Sequence, residues 1–303
     1  MAIEWYPGHM TKARREIAEA LAIVDVVIEV VDARLPVSSS NPILQELRGK
    51  KPCLKVLNKQ DLADPAVTRE WVRHFAGQSG VVALAIEAKN RKSVNEILRR
   101  CRSLVPHKGR PGRNLRAMVV GIPNVGKSTL TNTLAGKSIA RVGDKPAITT
   151  CKQQINLPGN IILDDTPGLL WPDLHDQQGA LRLAASGAIG SGAFETDEVA
   201  CFALAFMLRR YSEGLVRTFP FAADETDPLR LLEAIGRRHG CLLKGGVDMT
   251  RAGEFFLRAL RSGKFGRVSF ETPEDNCPAP PADDDSAETQ GFNSLDGRKD
   301  DGH

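Results

Sequence analysis

Gly121-Ile122-Pro123-Asn124-Val125-Gly126-Lys127-Ser128 fits the spacing G-x-x-x-x-G-K-[ST], a pattern suited to holding a polyphosphate. The glycines let successive backbone N–H groups turn inward around phosphate oxygens, and the Lys127 ammonium reaches the outer phosphates. The Ser128 hydroxyl stands where Mg²⁺ would meet those phosphates, with Val125, Gly126 and Thr129 completing the cradle. A second element, Asp165-Thr166-Pro167-Gly168, offers a carboxylate that holds Mg²⁺ through water and an N–H at Gly168 that meets a γ-phosphate. The third, Asn58-Lys59-Gln60-Asp61, reads a base. One carboxylate, Asp61, accepts from both N1–H and the exocyclic amine of guanine, a pair that adenine lacks. Lys59 would lie along the base plane, Asn58 would tie this loop to the phosphate loop, and Glu87-Ala88-Lys89 would supply a supporting backbone loop. The ligands this chemistry expects are GTP and GDP with Mg²⁺.

Each element needs a strand to deliver it, and the apolar runs provide one. Residues 25–34 form a nearly continuous β-branched run suited to a buried parallel strand. Further strands are expected at 53–57, 81–86, 115–120, 152–157 and 160–164, the last two joined by a Pro158-Gly159-Asn160 hairpin turn. Helices are expected from Asn41-Pro42, where an N-cap precedes a first-turn proline, and at 66–75, 94–104 and 129–135. Beyond Pro172 the spacing becomes helical throughout, at 178–188, 197–211, 228–239 and 251–262. The expected fold is therefore α/β, a mostly parallel sheet with helices on both faces, followed by a small all-α domain. The divisions are a basic arm entering a helix near Thr11 (1–21), the nucleotide domain (22–172, with a linker at 106–114), the helical domain (173–270) and an acidic, disordered tail (271–303).

The base-reading element lies upstream of the phosphate loop, whereas an ordinary Ras-like GTPase carries it well downstream. This order, with Trp5-Tyr6-Pro7-Gly8-His9-Met10-Thr11-Lys12-Ala13, Val31-Asp32-Ala33-Arg34-Leu35-Pro36, Asp165-Thr166-Pro167-Gly168-Leu169-Leu170-Trp171-Pro172 and Lys264-Phe265-Gly266-Arg267, resembles the ribosome biogenesis GTPase A family of circularly permuted GTPases. The resemblance runs from about Ile3 to Phe270. It implies a permuted Ras-like fold, GTP hydrolysis, and an immature large ribosomal subunit, with its rRNA and ribosomal proteins, as partner. Ala147 departs from the family's usual glycine before the switch threonine, and the acidic tail lies outside the shared pattern.

Hydrolysis needs a group that the sequence does not put in the usual place. Leu169 follows the sensor glycine where Ras-like enzymes carry a water-orienting glutamine, and its side chain cannot position water. His9, beside the Pro7-Gly8 turn, is the candidate acid/base; the alternative is that it fixes the arm or contacts RNA. Asn124 resembles the K⁺ ligand of permuted and related GTPases with a hydrophobic residue after the sensor glycine; the alternative is a turn-stabilising asparagine. Thr149, with Thr150 as second choice, is the expected further Mg²⁺ ligand by its spacing from Pro146.

Composition sets the partners. The 303-residue chain is 42% hydrophobic, enough for a full α/β core and a second domain. No apolar run approaches a membrane span and the first residues lack a secretion signal, so a cytoplasmic protein with no membrane partner is expected. Six scattered cysteines without metal-like spacing read as reduced thiols. From Glu271 to His303 ten acidic residues face two basic ones, so the body carries +12 against +4 for the whole chain. Basic residues around Arg14, Arg48, Arg99, Lys108 and Arg116, and in the helical domain Arg209, Arg217, Arg237, Lys244, Arg258 and Arg267, are either phosphate-backbone contacts or a solvated surface. No base-stacking aromatic motif accompanies them, which favours recognition of RNA shape and phosphates over reading of a single-stranded sequence; DNA is not an expected partner, and a monomer is expected. Competing functions are a GTPase of tRNA modification or membrane trafficking, and a nucleotide-gated RNA-binding module with vestigial hydrolysis.

Overall fold

The structure, a computed structural model, describes residues 7–136, 153–165, 176–190 and 194–276. The chain begins with α1 (Pro7–Ile23), then alternates β1 (Val26–Asp32), α2 (Pro42–Arg48), β2 (Cys53–Asn58), α3 (Pro65–Ala76), β3 (Val81–Ala85) and α4 (Arg91–Leu104). Strand β4 (Leu115–Val120) and α5 (Lys127–Ala135) follow, then the hairpin β5 (Gln153–Leu157) and β6 (Ile161–Asp165). The sheet order is β3-β2-β1-β4-β6-β5, parallel except for β5, which runs antiparallel to β6.

Strand β1 is buried at every position, as a strand covered on both faces must be. Val26, Ile28 and Val30 join Leu54, Val56, Ala117 and Val119 in the core that also holds Ile97 of α4 and Leu130 of α5. On the other face Val27 packs with Ile17, Leu21 and Met118, and Val31 with Trp71 and Phe75. Each such fully buried aliphatic side chain contributes about 1.5–3 kcal/mol relative to exposure. The expected arm therefore becomes part of this layer: α1 starts at Pro7, a first-turn proline that has no N–H to satisfy, and its later residues cover the sheet. Asn41 caps α2, its side chain accepting from Ile43 N at 2.8 Å ahead of Pro42, as its sequence implies.

The helical part comprises α6 (Gln177–Ser186), α7 (Thr196–Arg210), α8 (Ser212–Thr218), α9 (Pro228–Arg238) and α10 (Met249–Arg261). Helix α8 and the two-residue strands β7 (Leu242–Leu243) and β8 (Gly246–Val247) were absent from the sequence expectation, being too short to show a period. Leu183, Ala203, Leu232, Phe256 and Phe265 belong to the same buried cluster as the α4/α5 face of the sheet, so the helical part and the sheet share a continuous core. The stretch expected as an acidic tail opens on residues that pack against the fold. Glu271 is 1% exposed and accepts from Val37 N at 2.7 Å and Ser38 N at 3.1 Å, with Arg182 at 3.5 Å. Burial pushes its carboxyl up, and the Ser38 hydroxyl, those N–H groups and Arg182 partly offset it.

Candidate functional site

The parallel strands all end at one edge of the sheet, and the chain reverses its direction of strand addition between β1 and β4. The crevice at such a switch point is where open α/β sheets bind ligands. Gly121 leaves β4 with φ +151, and a Cβ there would lie 2.4 Å from the Val30 carbonyl oxygen. Gly126 has φ +102, caps the start of α5 without a side-chain hydrogen bond, and faces Asn58 so closely that a Cβ would sit 2.2 Å from its Nδ2. Only glycine fits either position, and the inward-turned loop they permit matches a phosphate cradle. Lys127, the first residue of α5, donates to the Ile122 carbonyl at 2.6 Å, which holds its ammonium at the loop. Ser128 and Thr129 follow in the first turn of the same helix, part-buried beside it.

Asn58 closes the base side. Its Nδ2 donates to the Val125 carbonyl at 2.7 Å, and its Oδ1 accepts from Ala88 N at 2.9 Å. It thus joins the base loop to the phosphate loop, as its sequence position implies, and recruits the Glu87-Ala88-Lys89 loop as well. Because the Ala88 N–H is committed to Asn58, this loop serves first as a brace for the other two. Thr133 of α5 adds a second tie, donating from its hydroxyl to the Ala88 carbonyl at 2.7 Å. Asp61 is exposed beyond the end of β2, on a turn held by two backbone hydrogen bonds, Gln60 N to Ile86 O at 3.1 Å and Leu62 N to Lys59 O at 2.9 Å.

The Lys59 ammonium is anchored. With φ 62 it turns back so that Nζ lies 2.9 Å from Oδ2 of Asp32, the fully buried last residue of β1. Arg34 grips the same carboxylate from the other side, Nε to Oδ1 at 2.9 Å and Nη2 to Oδ2 at 2.7 Å. Burial is the largest influence on Asp32 and pushes its carboxyl up; Arg34 and Lys59 together outweigh it and hold it well below the usual carboxylate range. Asp32 and Arg34 belong to the Val31-Asp32-Ala33-Arg34-Leu35-Pro36 segment, and the sequence alone gives them no function. Their sequence signal is an Asp–Arg pair at the end of a buried strand, Asp32 as the last residue of β1 and Arg34 two positions beyond it.

Asn124 also has a structural duty. It takes φ 59, and its Nδ2 donates to Ala188 O at 3.2 Å and lies 3.5 Å from Gly187 O, beyond the end of α6. Nδ2 being the donor, Oδ1 is the atom left to ligate a cation. Arg34 Nη2 donates to Ser186 O at 3.0 Å, and Arg261 of α10 donates to Ala184 O at 2.8 Å and Ala185 O at 3.2 Å. The carbonyls at and just beyond the C-terminus of α6 thus gather the phosphate loop, the segment after β1 and the last long helix at one point.

Asp165 ends β6 opposite Val119 of β4, beside the phosphate loop, and its backbone alone is described. Gly168, Thr149 and its alternative Thr150, and the side chain of His9 lie outside the described residues. No cluster of three or more His, Cys, Asp or Glu able to hold a metal occurs among the described residues, so the Mg²⁺ expectation rests on Ser128 and phosphate oxygens with Asp165.

Known proteins resemble this chain in sequence and fold. Residues 116–202 match the family model described as a 50S ribosome-binding GTPase. The chain is 46% identical over 283 residues to ribosome biogenesis GTPase A of Bacillus cereus, covering 91% of this chain and 95% of that one. It is 43% identical to the protein of the same name from Bacillus pumilus, over 90% of this chain and all of the other, 100%. Among solved structures, the GNP-bound YlqF from T. maritima superposes with a TM-score of 0.63 at 30% identity, covering 87% of this chain and 99% of that one. A GDP-bound YlqF structure gives 0.64 at 32% identity, over 86% and 100%. Glycine-lined phosphate loop, a base loop upstream of it, a sheet in permuted order and relatives spanning nearly the whole chain lead to one conclusion: the protein is a GTPase and belongs to the ribosome biogenesis GTPase A family.

Proposed function

We propose that this GTPase docks on the immature large ribosomal subunit, hydrolyses GTP there, and leaves once the third phosphate is lost. The observation carrying this reading is the α6 junction, where Arg261 and Arg34 meet carbonyls in the last turn of α6 and Asn124 meets the Ala188 carbonyl just beyond it. Residues 166–175, which include the γ-phosphate sensor, immediately precede that helix and its cap Asp176. A change at the sensor is therefore transmitted to an element already bolted to both the nucleotide loops and the helical domain. The names of the relatives support ribosome assembly as the process, and the charge of the chain supports RNA as the surface.

Within the site, Asn58 and Ser128 to Thr129 shape the cradle, Lys127 meets the outer phosphates, and Asp61 selects guanine. Mg²⁺, held by Ser128 and by Asp165 through water, with Thr149 as the further ligand, would supply charge neutralisation of the phosphates. Oδ1 of Asn124 would face a K⁺ compensating charge where an arginine finger is lacking. Water orientation falls to His9, carried on the first turn of α1.

Not all the basic residues are available to RNA. Arg116 is bound to Asp164 at 3.0 Å, Lys108 to Asp25 at 3.4 Å, Arg100 to Glu96 at 2.7 Å, and Arg14 to Glu46. In the helical domain Arg217, Lys244, Arg258, Lys264 and Arg267 are exposed, which favours that domain as the docking face. No helix among the described residues is long and apolar enough to cross a membrane, consistent with work on cytoplasmic ribosomes.

Co-sedimentation with purified large-subunit precursors tests this switch. Binding should be roughly ten- to a hundredfold tighter with a non-hydrolysable GTP analogue than with GDP, the range of a usual coupling free energy. Equal binding in the two nucleotide states would overturn it.

A further inference from the structure

We propose that Asp32 is the positioning residue for Lys59, fixing that lysine over the guanine pocket and so setting how long a nucleotide stays bound. This rests on the reading of Asn58 to Asp61 as the base loop. Lysine is a flexible stem with a strongly hydrated tip, so laying its methylenes along a base requires something to hold the ammonium. Asp32 does so from an unusually constrained place. It pairs in register with Asn58, so the end of β1 lies directly beside the base loop. Its backbone N–H donates to Ser39 Oγ at 2.9 Å, and that hydroxyl in turn donates to Leu35 O at 2.7 Å.

The carboxylate cannot rotate away. Arg34 clamps both oxygens through its fork, and the Arg34 N–H adds a third contact to Oδ1 at 3.1 Å. Arg34 is itself held, donating to Ser186 O at 3.0 Å while its own carbonyl accepts from Phe270 N at 2.7 Å. Arg34 alone would neutralise the carboxylate, so Lys59, part-exposed where Arg34 is buried, is a second cation drawn to the same oxygen. The order of dependence is thus Arg34 on Asp32, Asp32 on Lys59, and Lys59 on the base.

A double-mutant cycle decides it, with GDP carrying a fluorescent ribose label as probe and wild type, Asp32→Asn, Lys59→Met and the double variant compared. Each single variant should bind roughly ten- to a hundredfold more weakly, mainly through faster dissociation. The double variant should bind no more weakly than Lys59→Met alone. If Asp32→Asn costs the same factor with Met at position 59 as with lysine, or costs nothing in the wild-type background, Asp32 does not act through Lys59. Wild-type affinity in Lys59→Met would instead remove Lys59 from the base loop, a failure of the underlying reading. Should Asp32→Asn fail to fold with Arg34 left buried and unpaired, the cycle is run with Asp32→Asn and Arg34→Met together, which empties both charges from the core. The same non-additivity with Lys59→Met is then expected, and simple additivity overturns the proposal.

Discussion

Asp61→Asn should lose roughly 10²- to 10⁴-fold in GTP affinity and gain affinity for xanthosine triphosphate. The carboxylate accepts from two guanine N–H groups, and hydrogen bonds to a charged acceptor contribute about 1.5–3 kcal/mol each. Two of them amount to about 3–6 kcal/mol, which is the affinity range given. Xanthine carries an oxygen where guanine carries the amine, and the asparagine amide can donate to it, so attraction and repulsion exchange partners. The substitution is isosteric and Asp61 is exposed, so the surrounding turn, fixed by Ile86 O and Lys59 O, has no reason to move. Competition binding with the two triphosphates reads the result. An unchanged preference would mean that guanine is recognised elsewhere.

His9→Ala should leave GTP affinity intact and slow subunit-stimulated hydrolysis by roughly a hundredfold or more, the usual cost of losing a positioned acid/base group. The affinity is spared because base and phosphate contacts come from residues 58–61 and 121–128, none of them on α1. Leu169 follows the sensor glycine and offers no group to orient water, which leaves the task to a residue brought in from outside the phosphate loops. The variant should accumulate on large subunits in its GTP state. Single-turnover hydrolysis on saturating subunits in K⁺ buffer, with binding measured separately, checks it. Normal binding with the wild-type rate would make His9 structural and leave water to the switch backbone, K⁺ or the ribosome.

The nucleotide loops were legible because each is a contiguous run whose chemistry is local and whose position follows a strand end. The permuted order was legible for the same reason: it is the order of motifs along the chain. What escaped reading depends on distant partners. Glu271 looks like the first residue of an acidic tail, yet its partner Val37 lies 234 residues earlier. The role of Asp32 needs Lys59 and Arg34 on two different sides, which strand periodicity does not reveal. Arg116 reads as a basic surface residue until Asp164 on the neighbouring strand claims it. Asn124 shows a further limit, since a loop asparagine at positive φ proved to reach the end of α6.

The measurement that bears most directly on the account is GTP turnover by the purified protein with and without purified large ribosomal subunits in K⁺ buffer. Slow hydrolysis alone, rising by ten- to a hundredfold or more when saturating large subunits are added and failing to rise with small subunits, is the result expected of a positioned acid/base group completed by its partner. Turnover that is the same in the presence and absence of large subunits would contradict it.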